Sequence, residues 1–329
     1  MAARFGRVAD SSEVAGRRAP LVTQARTESP SGAVERTRRA WATALAYFHL
    51  TKPRVIELLL VTTLPAMILA AGEMPPLSLV FEVLIGGALA AGGANTINCW
   101  IERDRDQMMR RTAHRPLPHG DVNPEGALIF GLVLEALAFA LLWSTVNLLS
   151  AILAVSAMLF YVFVYTIWLK PRSPQNIVIG GAAGAVPVLV GWAAVTGGLA
   201  APAWVLFAIV FFWTPPHFWA LSLKYFDDYK AAGIPMLPVA KGIPTAVRQI
   251  VVYAFVVVAV TFTLPLVTDE VGVAYVATAA VLGALFIAQA IRLARDTTPA
   301  QAIRLFTFSN TYLALLFAAV AVDTLLHSV

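Results

Sequence analysis

Long apolar stretches separated by short polar connections make up most of the chain. A helix needs about 20 residues at 1.5 Å each to cross the ~30 Å hydrocarbon core of a bilayer, and nine stretches approach or reach that length. They cover residues 54–72, 77–99, 124–144, 148–169, 176–196, 202–222, 247–267, 271–292 and 303–326. None alternates apolar and polar residues as a membrane β-strand does. The pattern predicts an all-α polytopic membrane protein with nine transmembrane helices in a bundle.

The composition excludes several classes of soluble protein. Hydrophobic residues make up 59% of the chain and charged residues 13%, whereas about 25% of residues are charged in a typical soluble domain. Cys99 is the only cysteine, which excludes an intramolecular disulfide, a C-x-x-C zinc or redox pair and a C-x-x-C-H haem attachment site.

Lysine and arginine occur on only one side of the predicted bundle. All 24 lie in residues 1–54 or in alternate connections, namely residues 100–123, 170–175, 223–248 and 292–304. Positive residues mark the cytoplasmic side, so we expect a cytoplasmic N-terminus in a bacterial plasma membrane, with a mitochondrial inner membrane of the same polarity as the alternative. This distribution explains the net charge of +5 without nucleic acid as a partner, and it is compatible with contacts to membrane lipid.

The N-terminal tail differs in composition from the rest of the chain. Residues 1–45 are polar and rich in arginine and lack the apolar core of a secretory signal. We expect this tail to be disordered and cytoplasmic, and residues 46–329 to form a single transmembrane domain.

The end of the second predicted span combines acids and arginines. Asn98, Glu102 and Asp106 are spaced i, i+4, i+8 and therefore share one helix face, while Asp104 lies off that face. Their hard oxygen atoms suit Mg²⁺, which is usually shared with substrate phosphates. Five neighbouring arginines can pair with phosphate, namely Arg103, Arg105, Arg110, Arg111 and Arg115. The alternative is that the acids form salt bridges with these arginines on a solvated face.

A second acidic cluster follows the sixth predicted span. Lys224, Asp227 and Asp228 lie there, on the same side of the membrane as the first cluster. Two carboxylate clusters could each hold one Mg²⁺ against a shared diphosphate and neutralise a departing pyrophosphate. Lys170 and Arg172, at the end of the fourth span, add further positive charge.

These motifs resemble those of the UbiA-type intramembrane prenyltransferases. The pattern N-x-x-x-[D/E]-x-D-x-D at 98–106 is followed by R-T-x-x-R-P-L at 111–117. Four blocks are similar, in order, to the subgroup of protohaem IX farnesyltransferases, or haem O synthases: residues 50–67, 104–118, 165–192 and 213–239. The resemblance implies a helix bundle around a cavity that opens to the membrane, with farnesyl diphosphate as donor, Mg²⁺ as cofactor and haem B as acceptor.

The same resemblance assigns roles to individual residues. It implies that Asn98, Glu102, Asp106 and Asp228 hold metal, with Asp227 as a further catalytic acid. It implies diphosphate binding by basic residues, which we take to be Arg54, Arg111, Arg115, Lys170 and Lys224. A haem A synthase or an oxidase-assembly protein is then an expected partner.

The chain departs from the family pattern at two places. Glu102 stands where relatives commonly carry aspartate. In the wider superfamily the second motif is D-x-x-x-D, and Tyr225 and Tyr229 occupy those two positions here, with the acids shifted to Asp227 and Asp228. Which of the two acids holds metal is left open.

An ionisable side chain inside a predicted span is a further candidate. Such groups are costly in lipid and mark functional sites, so His217 is a candidate axial ligand to haem iron, with Trp213 as a candidate for contact with the porphyrin. The alternative readings are a histidine hydrogen-bonded to backbone freed by Pro215 and Pro216, and a tryptophan that only packs.

Three other functions compete with haem farnesylation. A UbiA-type prenyltransferase acting on another aromatic or chlorin acceptor would keep the same motifs. A secondary transporter would place acids near the bilayer midplane, whereas the acidic clusters lie at the cytoplasmic ends of spans. A structural haem-binding subunit would not need two acidic clusters.

Overall fold

The computed structural model describes residues 30–327, and no strand occurs among them. Thirteen α-helices form in chain order: α1 Pro30–Leu50, α2 Pro53–Ala71, α3 Leu77–Asp106, α4 Pro116–His119, α5 Pro124–Leu141, α6 Leu148–Leu159, α7 Asn176–Thr196, α8 Ala201–Lys224, α9 Phe226–Ala231, α10 Leu237–Lys241, α11 Ile243–Thr261, α12 Val273–Arg295 and α13 Pro299–His327. Two π-helical segments, Leu142–Val146 and Phe160–Leu169, extend α5 and α6, and the 3₁₀ turn Leu264–Leu266 follows α11.

The prediction of an all-α membrane protein is confirmed. Within residues 30–327, eight helical segments are long and apolar enough to cross a bilayer, and α2 adds a shorter apolar segment, Val61–Ala71. The first predicted span, 54–72, corresponds to α2, and the first turns of this helix carry Arg54 and Glu57, which line the cavity described below.

The chain divides into two units, Met1–Trp41 and Ala42–Val329. α1 begins at Pro30, so residues 30–45 are helical, which differs from the disordered tail expected up to residue 45. An ion pair one turn apart, with Arg39 Nε 3.2 Å from Glu35 Oε1, is a local reason for helix there. The rest of the predicted tail, residues 1–29, lies outside the described residues.

Glycines let the helices of the second unit approach closely. A Cβ on Gly191 of α7 would lie 2.8 Å from the carbonyl oxygen of Thr63 on α2, and a Cβ on Gly93 of α3 would lie 2.8 Å from the carbonyl oxygen of Gly131 on α5. Such distances are too short for any larger residue, and small residues at crossings are how membrane helices gain packing contacts.

Two local irregularities shape the interior. In the π-helical segment, the backbone N–H of Lys170 reaches the carbonyl of Tyr165, five residues earlier, at 2.8 Å, and such wide turns are frequent at functional sites. In α8, Pro215 and Pro216 lack the N–H groups that would bond the preceding turn, yet the helix continues to Lys224.

Candidate functional site

A cavity of about 1130 Å³ lies inside the second unit, with walls from α2, α3, α6, α7, α8 and α13. Its charged side chains lie at helix ends or in the lysine- and arginine-bearing connections, and alanine, glycine and valine line much of the rest. The volume suits a small-molecule substrate with a long apolar part.

The end of α3 brings the three residues of the first motif to the cavity. Asn98, Glu102 and Asp106 all line it and are 1%, 3% and 4% exposed. Their i, i+4, i+8 spacing stacks them on one helix face, as the sequence predicts. Asp104, off that face, has an 83% exposed side chain whose Oδ1 lies 3.7 Å from Arg103 Nε.

Each of the three buried side chains accepts a hydrogen bond from a basic side chain. The donor–acceptor distances are 2.7 Å for Lys52 Nζ to Asn98 Oδ1, Lys170 Nζ to Glu102 Oε2, and Arg115 Nη1 to Asp106 Oδ2. The ion pairs of Glu102 and Asp106 are therefore enclosed in the cavity wall. The contact between Arg103 and Asp104, by contrast, matches the alternative of a salt bridge on a solvated face.

The orientation of Asn98 is fixed from its other side. Its Nδ2 donates to Thr166 Oγ1 at 3.1 Å, and Thr166 Oγ1 in turn donates to the carbonyl of Tyr161 at 2.8 Å. The amide nitrogen is thereby engaged with the π-helical segment, and the amide oxygen faces Lys52.

Burial and pairing with acids shift the pKa of the basic groups in opposite directions. Burial lowers the pKa of Lys52, because the ammonium loses solvation and gains only partial compensation from nearby negative charge. Burial also disfavours the charged form of Lys170 and Arg115, but the carboxylates of Glu102 and Asp106 outweigh it and raise the pKa of each. The paired bases therefore stay charged.

The three oxygen-bearing side chains fit a magnesium ion shared with substrate. In the described part of the chain, no cluster of three or more His, Cys, Asp or Glu residues could hold a metal by itself. One amide and two carboxylates on a buried face, each already facing a cationic nitrogen, are however the hard oxygen donors that Mg²⁺ takes when phosphate completes its shell.

The second motif is arranged differently from the prediction. Tyr225 and Tyr229 line the cavity, whereas Asp227 is exposed and neither Asp227 nor Asp228 lines it. Asp228 Oδ2 instead accepts the backbone N–H of Arg111 at 3.1 Å. Because they are four residues apart, Tyr225 and Tyr229 share the side of the chain that lines the cavity. Asp227 lies on the exposed side, and Asp228 is engaged by the backbone of Arg111. The expected second metal cluster, with Asp228 as ligand, is therefore not assembled in the cavity.

Arg111 lies between the two motifs. Its guanidinium carbon is 5.4 Å from the ring centre of Tyr225 and 5.9 Å from that of Tyr229, within cation–π range. Its Nη2 lies 3.4 Å from Tyr229 Oη, and its buried Nε has no hydrogen-bond partner. An unpartnered buried N–H group beside a cavity can donate a hydrogen bond to a phosphate oxygen of a ligand.

The other predicted diphosphate-binding residues divide into two groups. Arg54, Arg115 and Lys170 line the cavity with Arg111. Lys224 does not line it; this exposed side chain places its Nζ 5.2 Å from the ring centre of Tyr225.

His217 and Trp213 both line the cavity from α8. The two rings stack, with centres 4.1 Å apart, and His217 stacks on Phe306 of α13 at 4.5 Å. His217 Nδ1 lies 2.7 Å from Ser309 Oγ, and Trp213 Nε1 donates to the carbonyl of Ser309 at 2.8 Å. His217 therefore bonds a side chain of α13 rather than backbone freed in α8, and Trp213, 4% exposed, packs against it.

Sequence reasoning missed Lys52, although it lies in the block at 50–67. Lys52 has φ +55°, the only positive φ outside glycine in the part of the chain that the structure describes. This left-handed conformation, just before Pro53, costs conformational energy. The only signal in the sequence is a lysine immediately before a span, which does not reveal the turn that directs it to Asn98.

Comparisons with known proteins extend these observations. Residues 59–316 match the UbiA prenyltransferase family. A relative from Mycolicibacterium paratuberculosis, named protoheme IX farnesyltransferase, is 54% identical over 286 residues, which cover 86% of this chain and 92% of the relative.

Two solved structures share the fold at low sequence identity. One, from a study of digeranylgeranylglyceryl phosphate synthase in membranes, has a TM-score of 0.71 at 19% identity and covers 86% of this chain and 99% of that chain. A UbiA homolog from Archaeoglobus fulgidus, bound to GPP and Mg²⁺, has a TM-score of 0.59 at 18% identity and covers 84% of this chain and 99% of that chain.

Proposed function

The chain belongs to the UbiA prenyltransferase family, and we propose that it transfers a farnesyl group from farnesyl diphosphate to a vinyl group of haem B, with addition of water, to give haem O. The observation that carries this proposal is the 54% identity, over 86% of this chain, to a relative named protoheme IX farnesyltransferase. The cavity supports it independently, because it combines a buried acid–base cluster with a long apolar wall.

Asn98, Glu102 and Asp106 would hold Mg²⁺ at the end of α3. When bound, the ion would neutralise charge on the diphosphate and so favour its departure. A UbiA homolog of the same fold binds GPP and Mg²⁺, which supports this assignment. Asp227 and Asp228 are not included as ligands, because neither lines the cavity.

The basic residues would bind the diphosphate directly. Arg54, Arg111, Arg115 and Lys170 line the cavity, and Lys52 joins them. Arginine fits phosphate with two parallel hydrogen bonds, and lysine acts as a point charge. Positive groups fixed around the leaving group stabilise the charge that develops as the carbon–oxygen bond breaks.

The chemistry needs a dry compartment. Breaking the bond between farnesyl C1 and the diphosphate oxygen leaves an allylic cation, which the terminal vinyl carbon of haem attacks. One water molecule then adds to the new cation next to the porphyrin ring and loses a proton, so the product gains a farnesyl group and a hydroxyl. The apolar wall of α3, α6 and α7 keeps other water from the first cation.

His217 would be the axial ligand of the haem iron, since an imidazole inside a membrane cavity is a suitable ligand. Trp213 would act mainly through His217, because its indole stacks on the imidazole. Haem would then lie against α8 and α13, the two helices that carry the aromatic residues of this region.

The protein is an integral membrane protein, and we infer from the distribution of lysine and arginine that its N-terminus is cytoplasmic. With Cys99 buried, a cysteine introduced at Glu270 should react with a membrane-impermeant maleimide added outside intact cells, and one introduced at Lys241 should not. The reverse pattern would overturn the orientation.

Product mass tests the reaction. Purified protein in detergent would receive haem B, farnesyl diphosphate and Mg²⁺, and haem products would be read by mass spectrometry. We expect a gain of farnesyl plus water that disappears with EDTA and in Asp106→Asn, while Asp104→Asn, a matched change at an exposed acid, retains it. Prenylation of an aromatic acid or a chlorin but not of haem would keep the family and overturn the acceptor. No pyrophosphate release with any acceptor would overturn the enzyme proposal.

A further inference from the structure

Ser309 of α13 is the side-chain hydrogen-bond partner of His217 in the described residues, and the backbone of Phe306 also hydrogen-bonds the imidazole. The side chain of Ser309 is fully buried, and its Oγ lies 2.7 Å from His217 Nδ1. It is not among the residues that line the cavity, so its hydroxyl faces the imidazole and not the substrate space.

The hydrogen bonds around Ser309 determine which nitrogen of His217 carries the proton. A serine hydroxyl has one proton to donate, and Ser309 Oγ donates it to the carbonyl of Phe306 at 2.7 Å. Toward His217 the same oxygen must therefore accept, which places the proton on Nδ1. In a neutral imidazole the other nitrogen, Nε2, then carries the free lone pair.

The neighbouring rings fix the plane in which that lone pair points. Trp213 and Phe306 stack on the imidazole with interplanar angles of 21° and 27°. Trp213 Nε1 also donates to the carbonyl oxygen of Ser309, which ties α8 to α13 at the same level. Ring rotation is thereby restricted on both faces, and His217 is among the residues that line the cavity.

We propose that Ser309 is a positioning residue that holds His217 as the Nδ1–H tautomer and so presents an unprotonated Nε2 to the iron of haem. This inference rests on the proposed haem substrate. Histidine ligands to metals generally donate their other ring N–H to a neighbouring acceptor, and loss of that acceptor typically weakens metal binding 10- to 100-fold.

The side chain of Ser309 can be tested separately from its backbone. Ser309→Ala removes the acceptor for Nδ1–H and keeps the carbonyl that Trp213 uses. Ser222→Ala is a matched control: Ser222 is also fully buried, and its Oγ donates to the carbonyl three residues earlier, that of Trp219, at 2.8 Å. Ser222 does not line the cavity.

The test is a titration of purified protein with ferric haem B. Absorption in the Soret region gives the affinity, and electron paramagnetic resonance reports the axial ligand. We expect the native protein and Ser222→Ala to show a histidine-ligated spectrum, His217→Ala to lose it, and Ser309→Ala to bind haem about 10- to 100-fold more weakly with an altered spectrum.

Two results would overturn the proposal in distinguishable ways. If Ser309→Ala matches Ser222→Ala while His217→Ala loses the ligand signal, Ser309 has no positioning role and the haem-ligand assignment stands. If His217→Ala keeps the native spectrum, His217 is not the ligand and the role of Ser309 falls with it. In both cases the mass assay for farnesylated haem decides the reaction separately.

Discussion

The pair formed by Lys170 and Glu102 gives the most direct test of the site's electrostatics. Their side chains are 14% and 4% exposed, so replacing Lys170 by methionine would leave the carboxylate of Glu102 enclosed without its partner. Breaking a buried ion pair from one side costs about 3–5 kcal/mol in free energy of unfolding. Because Lys52 still acts electrostatically on Glu102, we expect a loss of about 3 kcal/mol, at the low end of that range.

A second substitution separates lost charge pairing from lost packing. Glu102→Gln in the Lys170→Met background removes the stranded charge, and groups in contact typically show coupling energies of about 0.5–3 kcal/mol. We expect the double variant to recover about 2 kcal/mol of the loss. Arg39→Ala is the control, since the pair of Arg39 and Glu35 is 79% and 58% exposed and exposed pairs contribute little.

The single cysteine provides the readout. Cys99 is 2% exposed, so a fluorogenic maleimide should react with it only after the bundle opens. Unfolding would be followed in detergent at increasing fractions of dodecyl sulfate, and the midpoints converted to free energies. Equal stability of Lys170→Met and Arg39→Ala, or no recovery in the double variant, would refute a buried charged pair.

Two further predictions concern paired positions on α7 and α9. Gly180→Ala should sharply reduce prenyl transfer, because the new Cβ would collide with the Tyr165 ring that lies beneath Lys170. Gly184→Ala, one turn further along α7, is the control and should keep near-native turnover, since nothing lies within 4 Å of its Cβ. Equal effects of the two substitutions would show that the collision is irrelevant. Asp228→Ala should raise the KM for farnesyl diphosphate by about tenfold, because it frees the Arg111 backbone, and a hydrogen bond to a charged group is worth about 1.5–3 kcal/mol. Asp227→Ala at the exposed neighbour should not change the KM, and the opposite ranking would restore Asp227 as the functional acid.

The helices were predictable wherever local chemistry decides their ends. The predicted span 176–196 coincides with α7, and Gly197, directly after the helix, has the left-handed conformation (φ +68°) that favours glycine. The geometry of the first motif was also predictable from local structure, since residues four apart on a helix share a face.

The second motif was not predictable, because its register depends on a break between two helices. Tyr225 ends α8 and precedes α9 with φ −104° and ψ 32°, and this turn decides that residues 225 and 229 face inward. Hydrophobic periodicity places the span but not the residue at which α8 stops. The acidic pair at 227 and 228 is therefore the more conspicuous motif in the sequence, but the two tyrosines are the residues that line the cavity.

Side-chain partners that lie far apart along the chain were also not predictable from the sequence. Lys52 meets Asn98 from 46 residues away, and Ser309 meets His217 from 92 residues away. No periodicity along the chain encodes such pairs, because they arise from which helices are neighbours in the bundle. Polar residues within apolar spans, such as Ser309 beside Asn310, are the only sign of these contacts in the sequence.

The two base–acid pairs in the cavity, together with the contact of Lys52 with the Asn98 amide, have a consequence for the end of the catalytic cycle. In the proposed reaction, each carboxylate or amide would exchange its base for the metal when a metal-bound diphosphate enters, and each base would exchange its partner for phosphate. The number of attractive contacts would then change little. On departure of pyrophosphate the original pairs would re-form and offset the cost of losing it. The acids and the amide of the resting site thus compete with pyrophosphate for the same basic groups. We therefore expect pyrophosphate to be released faster than the number of positive side chains around it would suggest.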